Sequence, residues 1–358
     1  MKKSLIILAA AAIALAGCAK SEVLKIAQDR VIGFEPFVEN QTKAVDDITD
    51  GSADFKEFYV FGEKATKNNS DEYVPDGTLY LSHVQVTGGK GNWTYSPHVP
   101  WIANSRFRFA AYANGKGDGI STAARLENVE FRPATGEQQN WGLDITNYTV
   151  GDDDLIIAIP GEKVVDEIES SPASVGLTFK HVLSKVIFQF RYSANTNNQT
   201  LKLEINPFEF QAFNKGNCTA TYTGDETTTK IGAEWTIPTG TALHTYEFFA
   251  ADAEGNNQTW TSGNIQSEMY VIPQTNSGVV IDEIVIHSKN GNDEITNTTT
   301  YDNVSLTIPS HTFWKPGYVY RYIADIIPGE HYIHFTTSVT AWVDEDNRNQ
   351  TIQSGASN

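Results

Sequence analysis

Apolar and polar residues alternate with a period of two along much of this chain. Phe107, Phe109 and Ala111 alternate with Arg108 and Ala110. Val186, Phe188, Phe190 and Tyr192 alternate with Lys185, Ile187, Gln189 and Arg191. Tyr318, Tyr320, Tyr322, Ala324 and Ile326 form a third row, and Phe335, Thr337, Val339, Ala341 and Val343 a fourth. Successive side chains of a strand point to opposite faces, so each row predicts a strand with one face on a core. Residues 154–159 are more continuously apolar, as in a strand covered on both faces. Turn signals stand between the runs at Gly88-Gly89, Asn114-Gly115, Asp118-Gly119, Asn290-Gly291 and Pro316-Gly317. Helical periodicity is scarce, and residues 162–169 are the single short helical candidate.

Many short strands with polar turns predict an all-β sandwich or barrel. With 358 residues the chain is long enough for two domains of roughly 150 residues, each with its own core. The best internal boundary is the small polar stretch Glu169-Ser-Ser-Pro-Ala-Ser174. We therefore expect one β-domain over residues 44–170 and a second over 171–358, the latter closing in a polar tail from Asp344 onward.

The N-terminus carries an address. A basic start, Met1-Lys2-Lys3, precedes an apolar run over residues 5–15 and then Ala16-Gly17-Cys18. A bilayer core needs ~20 apolar residues, so this run is a signal-peptide core and not a membrane span. Leu15-Ala16-Gly17-Cys18 is similar to a bacterial lipobox, in which the cysteine is lipidated and becomes the new N-terminus. Residues 1–17 are the expected signal peptide and Cys18 the expected lipidation site. The other cysteine, Cys218, lies in a Thr-rich run with no nearby His or Lys to lower its pKa, and reads as a small core residue.

The net charge of −18 argues against nucleic acid, whose phosphates need clustered Lys and Arg. No catalytic motif is present: no G-x-S-x-G, no H-E-x-x-H, no P-loop. His331 and His334 would point to opposite faces of a strand, and Asp152-Asp153-Asp154 reads as a solvated turn rather than a calcium site. No enzyme activity, metal or cofactor is expected. The seven Trp residues could serve the core or a sugar platform. A surface lipoprotein that holds glycans on exposed aromatics is therefore the alternative function.

Several segments, in order, resemble the fimbrillin family, the subunits of type V pili in Bacteroidales. They are Val31-Ile-Gly-Phe-Glu-Pro-Phe-Val38 followed by Thr42-Lys43-Ala44, then Leu177-Thr-Phe-Lys-His-Val-Leu-Ser-Lys-Val-Ile-Phe188. Met269-Tyr-Val-Ile-Pro-Gln274, Trp314-Lys-Pro-Gly-Tyr-Val-Tyr-Arg-Tyr322 and Val339-Thr-Ala-Trp342 follow. The resemblance spans essentially the whole chain after the signal peptide. It implies two transthyretin-like β-sandwich domains in tandem. It also implies export to the outer-membrane surface, removal of the N-terminal segment (residues 18–43, first strand included) by a trypsin-like protease, and head-to-tail assembly with other fimbrial subunits. A strand taken out of a sandwich leaves an unpaired edge and an apolar slot, a template for a new strand. A head-to-tail contact of this kind builds an open filament.

Ile32, Phe34 and Val38 would share the buried face of that first strand, and Pro36, which cannot donate to a ladder, suits an edge. Cleavage between Lys43 and Ala44 would release the strand, whereas cleavage after Arg30 would leave it in place. Family members commonly carry Arg at the cut, and Lys43 departs from that. A third possibility is that neither bond is cut and the protein stays a lipid-anchored monomer. The donor strand is expected near the C-terminus, where residues 335–343 are apolar enough to be one and the polar tail after them could not fill a groove along its whole length; which part donates stays open.

Overall fold

The alternating runs do form strands. The computed structural model describes residues 30–38, 55–89, 92–116, 124–135, 140–192, 202–224, 231–260, 263–326 and 334–341. Before the mid-chain linker lie β1 (Phe34–Val38), β2 (Glu57–Lys67), β3 (Tyr73–Gly89), β4 (Asn92–Tyr95), β5 (Ser105–Lys116), β6 (Val129–Arg132), β7 (Gly142–Thr149), β8 (Asp153–Ala158) and β9 (Lys163–Val165). After a 3-10 turn at Ile168–Ser170 come β10 (Val175–His181), β11 (Ser184–Tyr192), β12 (Lys202–Ile205), β13 (Phe208–Ala212), β14 (Lys215–Tyr222), β15 (Ile231–Thr236) and β16 (His244–Phe248). The last six are β17 (Gln258–Trp260), β18 (Gly263–Val271), β19 (Val280–Lys289), β20 (Ile295–Ser305), β21 (Tyr318–Ile326) and β22 (His334–Ala341). The fold is all-β and built from several sheets. No helix among the described residues is long and apolar enough to cross a membrane.

An eight-stranded sheet runs β1-β10-β8-β5-β2-β3-β4, with β9 added to β5. Its central strands are buried on both faces. On one face Phe58 and Phe109 meet Phe34 of the first strand, and on the other Tyr59 and Tyr112 stack at 5.4 Å. The run at 107–111 was expected to have one polar face, and it does not. Ala110 has little bulk there, and Arg108 is neutralised by Glu63 and Glu162 at 3.6 and 3.1 Å while it lies over the Trp141 ring.

A second sheet, β15-β14-β7-β6, draws strands from both sides of the linker. Gly142 of β7 sits opposite Thr221 of β14, so close that a Cβ at Gly142 would lie 1.8 Å from the carbonyl oxygen of Ala220. Beside this contact Trp141 and Tyr222 stack at 4.2 Å. The expected boundary at 170/171 falls between β9 and β10. Pairing crosses it at β7–β14 and again at β10, which joins β1 and β8.

β10 leads into β11 through two buried residues, Val182 and Leu183. One nearly continuous run thus passes from the first sheet into a third, β18-β11-β21-β22. Its apolar row, Phe188 and Phe190, packs against Phe208, Phe248 and Phe249 at 5.1 to 5.6 Å. Phe208 and Phe248 come from the β13–β16 pair, and a further sheet, β17-β12-β19-β20, completes the far half.

The local departures from expectation have local causes. Residues 162–169 form β9 and a 3-10 turn instead of a helix, because Val164 and Val165, stiff at χ1, pair with Arg106 and Ser105 of β5. Asn114-Gly115 lies inside β5, where the Asn114 amide oxygen accepts from the buried Tyr148 hydroxyl at 2.8 Å. Gly88-Gly89 ends β3, Asp118-Gly119 lies outside the described residues, and the signals at Asn290-Gly291 and Pro316-Gly317 do turn the chain. Asn290 accepts the backbone N–H groups of Asn292 and Glu294 between β19 and β20. Gly317, at φ 71°, takes a left-handed conformation before β21 and donates to Leu183.

Candidate functional site

Residues 30–38 close a seam. On one side β1 runs parallel to β10, with Phe34 opposite Val175, Pro36 opposite Leu177 and Val38 opposite Phe179. On the other side the same segment is bonded to the stretch after β4: Ile32 N–H donates to Val99, Trp101 N–H donates to Arg30, and Val31 bridges Pro100. The Tyr95 hydroxyl of β4 donates to the Ile32 carbonyl at 2.8 Å, inside the core. The segment therefore holds together two edges of the eight-stranded sheet that have no direct ladder between them.

The sequence explains why it sits there. Ile32 and Phe34 alternate inward and are buried, and Glu35, next after Phe34, is exposed. Phe34 enters a slot formed by the rings of Phe58, Tyr95 and Phe109, with centroids at 6.3, 5.5 and 5.7 Å in tilted or edge-on contacts. Such contacts add to the area buried, which for a Phe side chain is worth ~1.5–3 kcal/mol. Burial drives the Tyr95 phenol above its ordinary pKa and keeps it a donor. Pro36 lacks an N–H and interrupts the ladder, so a short strand is bonded less regularly than its neighbours.

At the start of the segment the Arg30 guanidinium pairs with Glu169 at 3.0 Å, and Ser174 donates to Glu35 at 3.0 Å. Arg30 is thus engaged through both its backbone and its side chain. Its partner Glu169 is held below the ordinary carboxylate range by local hydrogen bonds, its own backbone and Arg30 first among them.

The sequence-predicted residues divide clearly. Ile32 and Phe34 share the buried face, and Val38 pairs through its backbone with Phe179. Arg30 lies at the mouth of the seam. Cys18, Lys43 and Ala44 lie outside the described residues. Cys218 is buried in β14, and burial pushes its thiol far above the usual range. Of the described Trp residues, Trp101, Trp141 and Trp314 are buried and Trp93, Trp235 and Trp260 are half-buried against the core. None of these six is among the exposed large hydrophobic residues.

One pair escaped the sequence reading. Asp154 is not on a solvated turn. It is 3% exposed on β8 and hydrogen-bonded to Nδ1 of buried His181 on β10, at 2.5 Å. Only the register of β8 against β10 reveals it, since the residues are 27 apart in sequence. Among the described residues no group of three or more His, Cys, Asp or Glu is placed to hold a metal ion.

Comparison with known proteins adds a family. The sequence model of the fimbrillin-like family matches residues 42–342. The match begins after β1. Among solved structures, a fimbrial protein from Bacteroides vulgatus ATCC 8482 is similar with a TM-score of 0.53 and 16% identity, over 87% of this chain and 99% of that one. The fimbrial anchor protein Mfa2 from Porphyromonas gingivalis is matched at 10% identity and a TM-score of 0.31, over 87% and 98%. No curated protein sequence matches the chain.

Proposed function

The chain belongs to the fimbrillin-like family, and on that premise we propose that it is a cell-surface fimbrial subunit that polymerises by strand exchange after losing its first strand. It is exported as a lipoprotein, anchored in the outer membrane through Cys18. A trypsin-like protease cuts between Lys43 and Ala44. The released segment leaves the seam open, and a strand from another fimbrial subunit fills it.

The observation that carries this reading is the double-sided seam. One short terminal segment, interrupted by Pro36, covers an apolar slot and an edge of β10. While attached it satisfies both, which blocks premature pairing. Once gone it leaves a template for a strand. Arg30 fits the alternative cut poorly. Its carbonyl accepts from Trp101, its side chain holds Glu169, and cleavage there would leave β1 in its place.

The test is intact mass and N-terminal sequencing of the protein from its native cell surface, with negative-stain microscopy of the same sample. An N-terminus at Ala44 together with filaments is the expected result. A blocked Cys18 with no filaments would sink strand exchange and leave a lipid-anchored monomer.

A further inference from the structure

A hollow of about 330 Å³ opens where the end of β10, the start of β15 and residues 315–318 meet. That is the small end of the range for ligand pockets, about 300–1,000 Å³, and it suits a single ring. Lys180, His181 and Lys315 form its polar side, and Ile231, Pro316 and Tyr318 its apolar side. None of the described residues lining it is Asp or Glu, on a chain with 44 acids against 26 bases. The nearby acids are turned away. Glu234 follows Ala233 on β15 and alternates to the other face. Asp154, 3% exposed on β8, meets Nδ1 of His181 at 2.5 Å behind the wall. The ladder of β1 on β10 ends at Phe179, so no lining residue pairs with the first strand.

The walls are fixed to one another before any ligand arrives. The Ser184 hydroxyl donates to the Lys315 carbonyl at 2.8 Å, and the Gly317 N–H to the Leu183 carbonyl at 2.8 Å. The Lys315 N–H donates to the Tyr320 hydroxyl at 2.7 Å. From the third wall the Trp235 indole N–H donates to the Val182 carbonyl at 2.7 Å. At Gly317 a Cβ would lie 3.0 Å from the His181 carbonyl oxygen, so the strap closes tightly on β10. Lys315 is exposed, with its ammonium 6.0 Å from the Tyr318 ring centre, and no carboxylate among the described residues pairs with it. A rigid hollow with its cations already in place loses little freedom on binding.

Three features define what fits. The lysines call for an anion. The Tyr318 and Pro316 surfaces call for an apolar face beside that anion, which a bare phosphate lacks. Along the third side β15 is the edge of its sheet among the described strands, so alternate residues turn backbone N–H and C=O groups outward. Hydroxyl groups satisfy such donors and acceptors, and an aliphatic chain does not. We propose that this hollow binds one acidic sugar residue, with its carboxylate on Lys180 and Lys315, its ring against Tyr318 and Pro316, and its hydroxyls on the outer backbone groups of β15. The site lies beyond the seam and needs neither cleavage nor assembly.

Saturation-transfer NMR on the full chain tests this, with methyl glucuronide as the probe and methyl glucoside and inorganic phosphate as controls. Methyl glucuronide should bind with a Kd on the order of 1 mM. Methyl glucoside should bind at least about tenfold more weakly, since it lacks the charge, and phosphate should displace the glucuronide only at about tenfold higher concentration. K180Q/K315Q should weaken binding by about tenfold or more at an unchanged melting temperature, and a K202Q control should not. I231D sets a carboxylate in the hollow and should abolish the signal. Equal binding of glucuronide and glucoside would overturn the role of the lysines. Displacement by equimolar phosphate would reduce the hollow to a plain anion site and overturn the sugar. Glucuronide binding unchanged in K180Q/K315Q would place the site elsewhere, and no glucuronide signal from the wild-type chain would end the proposal. Each of these outcomes leaves strand exchange untouched.

Discussion

The Tyr95 hydroxyl donates to the Ile32 carbonyl from within the core, so the first segment is bonded to β4 by a buried side chain as well as to β10 by its backbone. A buried carbonyl that loses its donor costs about 1–3 kcal/mol. Tyr95→Phe should therefore lower the stability of the unprocessed subunit by about 1–2 kcal/mol in urea titration. It should also speed release of the segment after cleavage. An unchanged midpoint would mean that Tyr95 does not hold the segment.

Phe34→Ala removes the ring that fills the slot between Phe58, Tyr95 and Phe109. Truncating a buried Phe costs about 3–5 kcal/mol. The expected outcome is a loss in that range, seen in equilibrium unfolding of the uncleaved chain. A loss below about 1 kcal/mol would show that the segment is weakly seated.

Lys43→Ala should keep the N-terminal segment attached and the subunit monomeric. Arg30→Ala should still be processed at Lys43 and still form filaments. Mass spectrometry and electron microscopy of the two variants separate these outcomes, and filaments from Lys43→Ala would count against Lys43 as the cut.

Gly142→Ala should break the junction of β7 and β14, because the added Cβ would lie 1.8 Å from the Ala220 carbonyl oxygen. The neighbour is backbone and cannot swing aside. A loss of about 3 kcal/mol or more is expected in thermal unfolding, and a wild-type melting temperature would show that the two strands can part without cost.

Acidification should weaken the fold through its buried imidazoles. Burial first, and then the nearby Arg125, hold the His83 imidazole below its ordinary pKa of 6.5. His83 stacks on Phe61 at 4.9 Å and is hydrogen-bonded to the Tyr112 hydroxyl. Burial also lowers His311, with Lys315 adding to the effect. Below pH 6.5 the unfolded chain takes up these protons more readily than the folded one, so stability is full above 6.5 and falls as the pH drops. His83→Gln should flatten the decline between pH 7 and 5, measured by urea unfolding at each pH. A decline as steep as wild type would assign the effect to other groups.

Much of the strand pattern was legible because burial on one face leaves a period of two. The rows at 186–192 and 318–326 form β11 and β21. What was hidden was coverage of the second face. Nothing local to Arg108 or Asp154 says that Glu63 and Glu162, or His181, will partner them across the sheet. The first strand was legible as an amphipathic edge with a proline. Its double-sided bonding was not, because Val99 and Trp101 are recognisable as partners only once the sheet curls back on itself.

The short passage from β10 to β11 has a mechanical meaning. If a neighbour's strand lies on β10, a pull along the filament enters the subunit there and, after only Val182 and Leu183, reaches β11 and the sheet that carries β22. Tension then follows one covalent run of backbone and does not cross the interface between the two halves. At β10 the load would act along the strands, in shear, so several backbone bonds must fail together. Peeling would break them one at a time at far lower force. A fibre of such subunits would stretch and hold where a chain of globules joined by surface contacts would part.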